Sequence, residues 1–172
     1  MLQLVLNKYF EWKDSSKTLF YRRKGVNIGE NCSFIGKNIN FGSEPYLIEI
    51  GNNVRVSFDV VFITHDGATH VLRLKNPGVV TYGRIIVKDN VFIGARSIIM
   101  PNVTIGRNSV IGAGSIVTKD VEKNSVYAGN PAKRICSIEE YEKKNKHKFM
   151  NIAFYGKEEK KNILLKKSKK EF

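Results

Sequence analysis

The chain has 172 residues, of which 42% are hydrophobic, and it carries a formal net charge of +13. A chain of this length and composition is expected to form one packed domain with short appendages. Its N-terminal apolar run is too short for a signal peptide, and nowhere do ~18 apolar residues follow one another, so we expect a cytoplasmic protein without a membrane span. Cys32 and Cys136 lie far apart and match no metal-ligand spacing, which predicts two reduced thiols.

Much of the positive charge lies at the C-terminal end, where residues 141–172 contain eleven lysines and four glutamates. Such a segment is usually a solvated helix or tail. Otherwise it attracts anionic partners, by a weak contact with an acidic membrane surface or with a phosphate-bearing substrate. No nucleic-acid-binding module is recognisable, so the charge does not predict binding to DNA or RNA.

The first elements in chain order are two amphipathic stretches, "LQLVLNKYFEW" and "KTLFYRRK", both predicted to be helical. A six-residue hydrophobic pattern then begins raggedly at Ile28 and Phe34. It is interrupted by "FGSEPYLIE" and resumes at Ile50, Val56 and Phe62. The pattern therefore starts before it becomes regular.

A long segment, "THDGATHVLRLKNPGVVTYGR", separates Phe62 from the next member of the pattern, Val87. Long loops in compact repeat domains are usually functional, so residues at about 64–84 are predicted to form a protruding loop that carries activity. This loop holds two of the three histidines of the chain, His65 and His70, with Asp66 beside the first. Asp66 either orients an imidazole or forms the turn in "HDG".

From Val87 onward the hexad pattern is unbroken. Aliphatic residues recur at every sixth position: Val87, Ile93, Ile99, Ile105, Ile111 and Val117. Four places after each stands a small or β-branched residue: Val91, Ser97, Val103, Ser109, Ser115 and Val121. This period fits neither an amphipathic helix nor an alternating strand, and it predicts a coil of short strands joined by tight corners.

A helix is predicted to follow the repeat. Ser137 in "SIEEYEKKNKHKF" is a candidate N-cap, and the glutamate three residues later completes a capping box. Each coil of a repeat buries its aliphatic row only by stacking on the next, so both ends need caps. We therefore expect an N-terminal helical cap (1–24), a repeat domain (25–136), and a C-terminal helix with a lysine-rich tail (137–172).

The hexads and the closing "AGNPAKRI" resemble the hexapeptide-repeat superfamily of acyl-CoA-dependent acetyltransferases, in particular those that acetylate galactosides, maltose and capsular sugars. The resemblance covers about residues 25–135. It implies an all-β fold, a left-handed parallel β-helix with three hexads to a turn; sequence physics alone would favour a right-handed crossover. It also implies a homotrimer with each site between two subunits, acetyl-CoA as co-substrate, no metal, and a saccharide acceptor in surface polysaccharide synthesis.

The resemblance assigns the general base to His65, at the root of the loop. An alcohol needs a base to attack a thioester at neutral pH, and imidazole suits that task. His70 is either a loop histidine or a substrate contact. Asp59 stands where relatives often carry an asparagine that binds acceptor hydroxyls, and Phe92 stands where they often have a tryptophan, so both are candidate acceptor-binding residues.

The same resemblance places coenzyme A along the later coils. The backbone N–H of Ala95 is the candidate donor to the thioester oxygen. Contacts to the pantetheine and adenine parts are expected from Ala113, Thr118 and Lys119. Lys133, with Arg134, is expected to pair with phosphate.

Three other readings stay open from the residues. The five-residue spacing of His65 and His70 matches a pair of zinc ligands in γ-class carbonic anhydrases, but a catalytic zinc needs a third protein ligand, and no histidine precedes His65. A purely structural β-helix would leave the loop without a role. N-acetylation of an amino sugar is the nearest alternative to O-acetylation.

Overall fold

A computed structural model of the protein describes residues 16–36 and 38–168. Its main body consists of short strands in three sheets, A, B and C. Sheet A contains β1 (Asn27–Ile28), β3 (Ile48–Ile50), β8 (Ile85–Val87) and β11 (Thr104–Ile105). Sheet B contains β2 (Ser33–Phe34), β4 (Arg55–Val56), β9 (Phe92–Ile93), β12 (Val110–Ile111), β14 (Ser125–Ala128) and β15 (Lys133–Ser137). Sheet C contains β5 (Val61–Phe62), β10 (Ile98–Ile99) and β13 (Ile116–Val117).

Successive strands pass from sheet A to B to C and back to A, so the chain winds as a three-sided coil. Strands that stack in one sheet are parallel, except for β14 with β15. In the regular part, Val87 pairs with Ile105 and Ile93 with Ile111, which are three hexads apart. The predicted period of three hexads per coil is thus the register of the sheets.

The interior of the coil is filled by the residues that the period selects. All six predicted aliphatic positions from Val87 to Val117 are at most 1% exposed, and the six small or β-branched positions at most 4%. Buried serines among them are paired with carbonyls: Ser97 Oγ donates to Gly112 O at 3.0 Å, and Ser109 Oγ to Glu122 O at 2.8 Å. The predicted core is therefore confirmed, and its hydroxyls cost little because each has a partner.

The corners of the coil need a left-handed backbone. Between sheets A and B this conformation falls on asparagines, with φ from 55° to 57°, at Asn31, Asn53, Asn90, Asn108 and Asn124. Asparagine tolerates positive φ better than most residues. Three of these side chains also form a ladder, in which Asn90 donates to Asn108 and Asn108 to Asn124, each at 2.9 Å.

A helix, α1, covers the first coil and is described over residues 16–23. Its Tyr21 packs edge-on against Phe34 and contacts Phe41, which stacks on Phe62 at 5.0 Å. Arg22 donates to the carbonyls of Ile28 and Gly29. The predicted helix in "KTLFYRRK" is confirmed, whereas "LQLVLNKYFEW" lies outside the described residues.

At the other end, β15 folds back antiparallel on β14 and leads into α2 (Ile138–Asn145). The predicted capping box is present: Glu140 N–H donates to Ser137 Oγ at 3.1 Å, and Ser137 N–H to Glu140 Oε2 at 2.7 Å. A short 3-10 turn (Lys146–Lys148) and α3 (Lys157–Ser168) follow, and neither α2 nor α3 has a buried residue. Among the described helices, none combines the length and apolarity that a bilayer span requires.

Two insertions interrupt the coil, as the breaks in the pattern predict. The first carries a 3-10 turn, η1 (Pro45–Leu47). The second is a hairpin of β6 (His65–Asp66) and β7 (Thr81–Tyr82), which pair antiparallel and enclose a 3-10 helix, η2 (Gly67–Leu72). Both insertions lie between sheets C and A, because the first precedes β3 and the second joins β5 to β8.

We expect Ile99→Ala to lower the free energy of unfolding by about 2–5 kcal/mol, because it opens a cavity between stacked coils. Ile99 is fully buried, on a central strand between β5 and β13. Denaturant unfolding at one fixed protein concentration measures the change. Leu164→Ala, on α3 and 49% exposed, is the control and should shift the free energy by less than about 0.5 kcal/mol. Equal effects of the two substitutions would contradict the stacked core.

Candidate active site

A cleft of about 440 Å³ opens where the two insertions meet. The first insertion contributes Ser43 and Glu44, and the hairpin contributes the remaining lining residues: His65, Asp66, Gly67, Thr69, His70, Arg73, Val80, Thr81 and Tyr82. The residues that line the cleft therefore belong to the two insertions, and the coil supports both insertions from below.

His65 is held by a carboxylate that sequence reasoning did not single out. The His65 Nδ1 lies 2.9 Å from Glu44 Oε2. The same carboxylate oxygen accepts a hydrogen bond of 2.7 Å from the hydroxyl of Thr64, a residue only 1% exposed. Because an ionised carboxylate only accepts hydrogen bonds, Nδ1 carries the imidazole proton and Nε2 presents its lone pair.

The electrostatics of Glu44 agree with this arrangement. The hydrogen bond from His65, and after it the one from Thr64, holds the pKa of the Glu44 carboxyl below its usual range. The Glu44 side chain is 13% exposed and that of His65 is 46% exposed. A shielded carboxylate thus orients an imidazole whose other edge is open to solvent.

The local sequence explains why Glu44 reaches His65. Gly42 has a φ of 68°, and a β-carbon there would lie 3.2 Å from Thr64 Oγ1 and 3.3 Å from Phe62 O. A glycine at this position lets the first insertion approach the end of β5 closely. In the sequence, the interruption "FGSEPYLIE" marked this segment as a break in the repeat, but it contains both Glu44 and Glu49 and did not show which of them meets His65.

Asp66 forms the turn and does not contact the imidazole. Its Oδ1 accepts from the Ala68 N–H at 2.8 Å and caps the N-terminus of η2. Of the two readings that the sequence left open for Asp66, the structure shows the turn, and Glu44 takes the orienting position.

His70 lies in the same cleft as His65, on η2. Across the hairpin, Tyr82 pairs with His65, and their ring centroids are 6.1 Å apart in an edge-on arrangement. In the described part of the chain, no three or more His, Cys, Asp or Glu side chains are grouped as metal ligands would be. Among the described residues, the carboxylate that bonds to a histidine of this cleft is Glu44, through His65 Nδ1.

The other predicted site residues lie elsewhere on the protomer. Asp59 is at the corner between β4 and β5, with a φ of 56°, and its carboxylate pairs with Arg96 Nε at 3.7 Å. Phe92 faces outward from sheet B, 39% exposed, in a separate groove with Arg55 and Ile138. Within one protomer, neither residue lines the cleft around His65.

The predicted coenzyme A contacts fall on three parts of the later coils. Ala95 and Ala113 stack at the corner between sheets B and C, where Gly114 N–H donates to Ala95 O at 2.8 Å. Thr118 and Lys119 follow β13 and lie at the corner between sheets C and A, the one from which the hairpin leaves. Lys133 and Arg134 are exposed on β15, where Arg134 Nε lies 3.3 Å from Glu122 Oε2.

Known proteins that resemble this chain identify its family. Residues 84–119 match the model of the bacterial transferase hexapeptide (six repeats). The chain is 49% identical to Protein CapG of Staphylococcus aureus over 153 residues, covering 86% of this chain and 87% of CapG.

It is also 43% identical to the galactoside O-acetyltransferase of Escherichia coli K12, covering 63% of this chain and 56% of that enzyme. Among solved structures it is similar to a maltose O-acetyltransferase from Clostridium difficile 630, with a TM-score of 0.57 and 38% identity over 66% of this chain and 59% of that one. The chain thus spans little more than half of these two enzymes, but nearly all of CapG. On the match to CapG and to the repeat model, the chain belongs to the hexapeptide-repeat transferase family.

Proposed function

We propose that the protein transfers an acetyl group from acetyl-CoA to a hydroxyl of a sugar, in the synthesis of a surface polysaccharide, with His65 as general base. One observation carries the proposal: the His65 Nδ1 bonded to Glu44 Oε2 at 2.9 Å, in a cleft with room for a sugar. A base held by a third group is the arrangement that activates a weak nucleophile.

The chemistry follows from the tautomer that Glu44 imposes. The Nε2 of His65 removes the proton of the acceptor hydroxyl as its oxygen attacks the thioester carbon. Glu44 stabilises the imidazolium that forms, since its carboxylate accepts a charge-assisted hydrogen bond from Nδ1–H. When the carbon–sulfur bond breaks, the imidazolium returns the proton to the departing thiolate and the cycle is complete.

The thioester oxygen gains negative charge during the reaction, and we propose the backbone N–H of Ala95 as its hydrogen-bond donor. Ala113, Thr118 and Lys119 are the proposed contacts along coenzyme A, with Lys133 and Arg134 near phosphate. Support comes from the stacking of Ala95 and Ala113 at one corner of successive coils, where Gly114 N–H donates to Ala95 O. Thr118 and Lys119 lie at the next corner, across sheet C. The fold is proposed to be the left-handed β-helix of this family, with α1 and the C-terminal segment as appendages.

The site is proposed to be completed by a second copy of the chain in a homotrimer. His65 and Ala95 lie at different corners of one protomer, on either side of sheet C. The outward side chains of sheet C are apolar and partly buried: Val61, Ile98 and Ile116. An apolar strip of this kind on a flat sheet favours burial against another protein surface.

We expect His65→Ala to lower kcat by roughly two to four orders of magnitude, the usual worth of a positioned general base, with little change in the acetyl-CoA KM. Glu44→Gln should lower kcat by about 10- to 100-fold, because a charge-assisted hydrogen bond is worth about 1.5–3 kcal/mol. Release of free thiol from acetyl-CoA measures both, with a panel of sugars and amino sugars as acceptors.

The matched control is Glu49→Gln, which removes a carboxylate of sheet A that lies 3.5 Å from Arg84. It should leave kcat within about twofold, as expected for an exposed ion pair. Full activity of His65→Ala would refute the proposed base. Acetylation of amino groups alone would identify the enzyme as an N-acetyltransferase.

The Glu44 carboxyl gives a test that needs no acceptor. In His65→Ala its pKa should rise toward the ordinary value, because the hydrogen bond that lowers it most is lost. Thr64→Val should raise it less. In the native protein the carboxylate persists to unusually acid pH, so its stabilising effect is present above the ordinary carboxyl range and is lost as pH falls through the lowered pKa. A carbon-13 NMR titration of the glutamate carboxyls measures the pKa. If the pKa of Glu44 were unchanged in His65→Ala, the result would contradict the contact between the two side chains.

The proposed homotrimer can be tested by sedimentation. We expect a trimer at assay concentrations, and we expect Ile98→Asp to weaken it because a charge would be buried on the apolar strip of sheet C. Lys88→Asp, an exposed change after β8, is the control and should leave the trimer intact. A fully active, stable monomer would overturn the shared site.

A further inference from the structure

The 3-10 helix η2 and its C-cap residue, Arg73, place a row of hydrogen-bond donors along the cleft. Side chains three residues apart eclipse each other in such a helix. Gly67, His70 and Arg73 have this spacing, all three line the cleft, and the Arg73 N–H donates to His70 O at 3.2 Å. No residue lies within 4 Å of a β-carbon built at Gly67, so the first position of the row is open space.

Most side-chain donors of this row lack partners among the described residues. The Arg73 guanidinium makes one bond, a long one of 3.4 Å from Nε to Val79 O, which directs the side chain across the hairpin. Its terminal nitrogens and the His70 ring bond to no group in the described part of the chain. A planar guanidinium with free terminal N–H groups matches phosphate oxygens in pairs.

Each carboxylate of the cleft accepts a hydrogen bond through one of its oxygens and keeps its negative charge. Glu44 accepts from His65 and Thr64, and Asp66 Oδ1 accepts from Ala68 N–H. These bonds hold the acidic groups at the base of the hairpin, on the side of His65. The outer part of the cleft is lined by His70 and Arg73, and the Arg73 guanidinium is the cation of this lining.

We propose that this row binds a phosphate or diphosphate group carried by the acceptor, so that the enzyme acetylates a phosphate-linked sugar in preference to a free one. The inference rests on the proposed function, because it places the sugar of that acceptor at His65. The ester could belong to a nucleotide or to a lipid carrier. Beside Arg73, Val71 and Leu74 are 77% and 98% exposed, an apolar surface that a lipid chain would cover.

Binding is tested first without turnover, with inorganic diphosphate as the probe on the full chain in its native assembly. We expect Arg73→Gln to weaken the Kd by about 10- to 100-fold, as for loss of charged hydrogen bonds, and Arg73→Lys to weaken it less. Arg84→Gln is the matched control, since Arg84 is an exposed cation at the base of the same hairpin outside the cleft. Calorimetry at constant ionic strength measures all four proteins. Equal affinity of the wild type and Arg73→Gln would overturn the site, because the probe then binds elsewhere, for example at the lysine-rich tail.

Turnover then compares one sugar as the free form, the nucleoside diphosphate ester and a short isoprenyl diphosphate ester. We expect kcat/KM to be at least about 10-fold higher for an ester than for the free sugar, and Arg73→Gln to lower that ratio while Arg84→Gln keeps it. Leu74→Ser should lower kcat/KM only for the isoprenyl ester if a lipid is the natural carrier, and for neither ester if a nucleotide is.

The two proposals fail in different ways. Equal kcat/KM for free and esterified sugars, with turnover lost in His65→Ala, overturns the anion site and keeps the acetyltransferase. Diphosphate binding that depends on Arg73, without any acetyl transfer that depends on His65, keeps the anion site and overturns the proposed function.

Discussion

Stacking of aliphatic side chains between successive coils is the constraint on which the rest of this structure depends. A strand of two residues cannot bury its side chains alone, so each coil is stable only against its neighbours. The register of three hexads brings Ile93 over Ile111 and Ile99 over Val117 without a gap. Because an interior packed to this density tolerates little change, the corners and the insertions are the parts of the coil that are free to carry other residues.

Both insertions are anchored on this rigid coil, and each contributes one part of the cleft. The first brings Glu44 close against the end of β5, with Gly42 removing the steric obstacle. The second carries His65 at its root and η2 at its far side. The proposed function requires both residues of the Glu44–His65 pair to be held on a stiff support, since small displacements of reacting groups are costly. The coil provides this support beneath His65 through buried Thr64.

Charge is distributed along the cleft in two zones. Near the coil, Glu44 Oε2 and Asp66 Oδ1 accept specific hydrogen bonds, whereas on η2 the terminal nitrogens of Arg73 and the His70 ring bond to no group among the residues that the structure describes. The proposed base therefore lies beside an oriented carboxylate, and the proposed anion site lies farther along the hairpin.

The sequence by itself determined the coil, its core and its C-terminal capping box, because each follows from a periodicity or a local spacing. Val87 to Val117 were predicted inside at every sixth position and are all buried there. The sequence also indicated His65 and His70 as the residues of interest, although their roles stay predictions.

Glu44 could not be predicted this way, because its partner lies 21 positions away and the two meet only when separate insertions fold over the same corner. For the same reason, the row formed by His70 and Arg73 depends on the 3-10 helix inside the hairpin, which no local spacing predicts. Local spacing determines which side of a strand or turn a residue occupies, whereas contacts between distant insertions are decided only by the tertiary structure that brings them together.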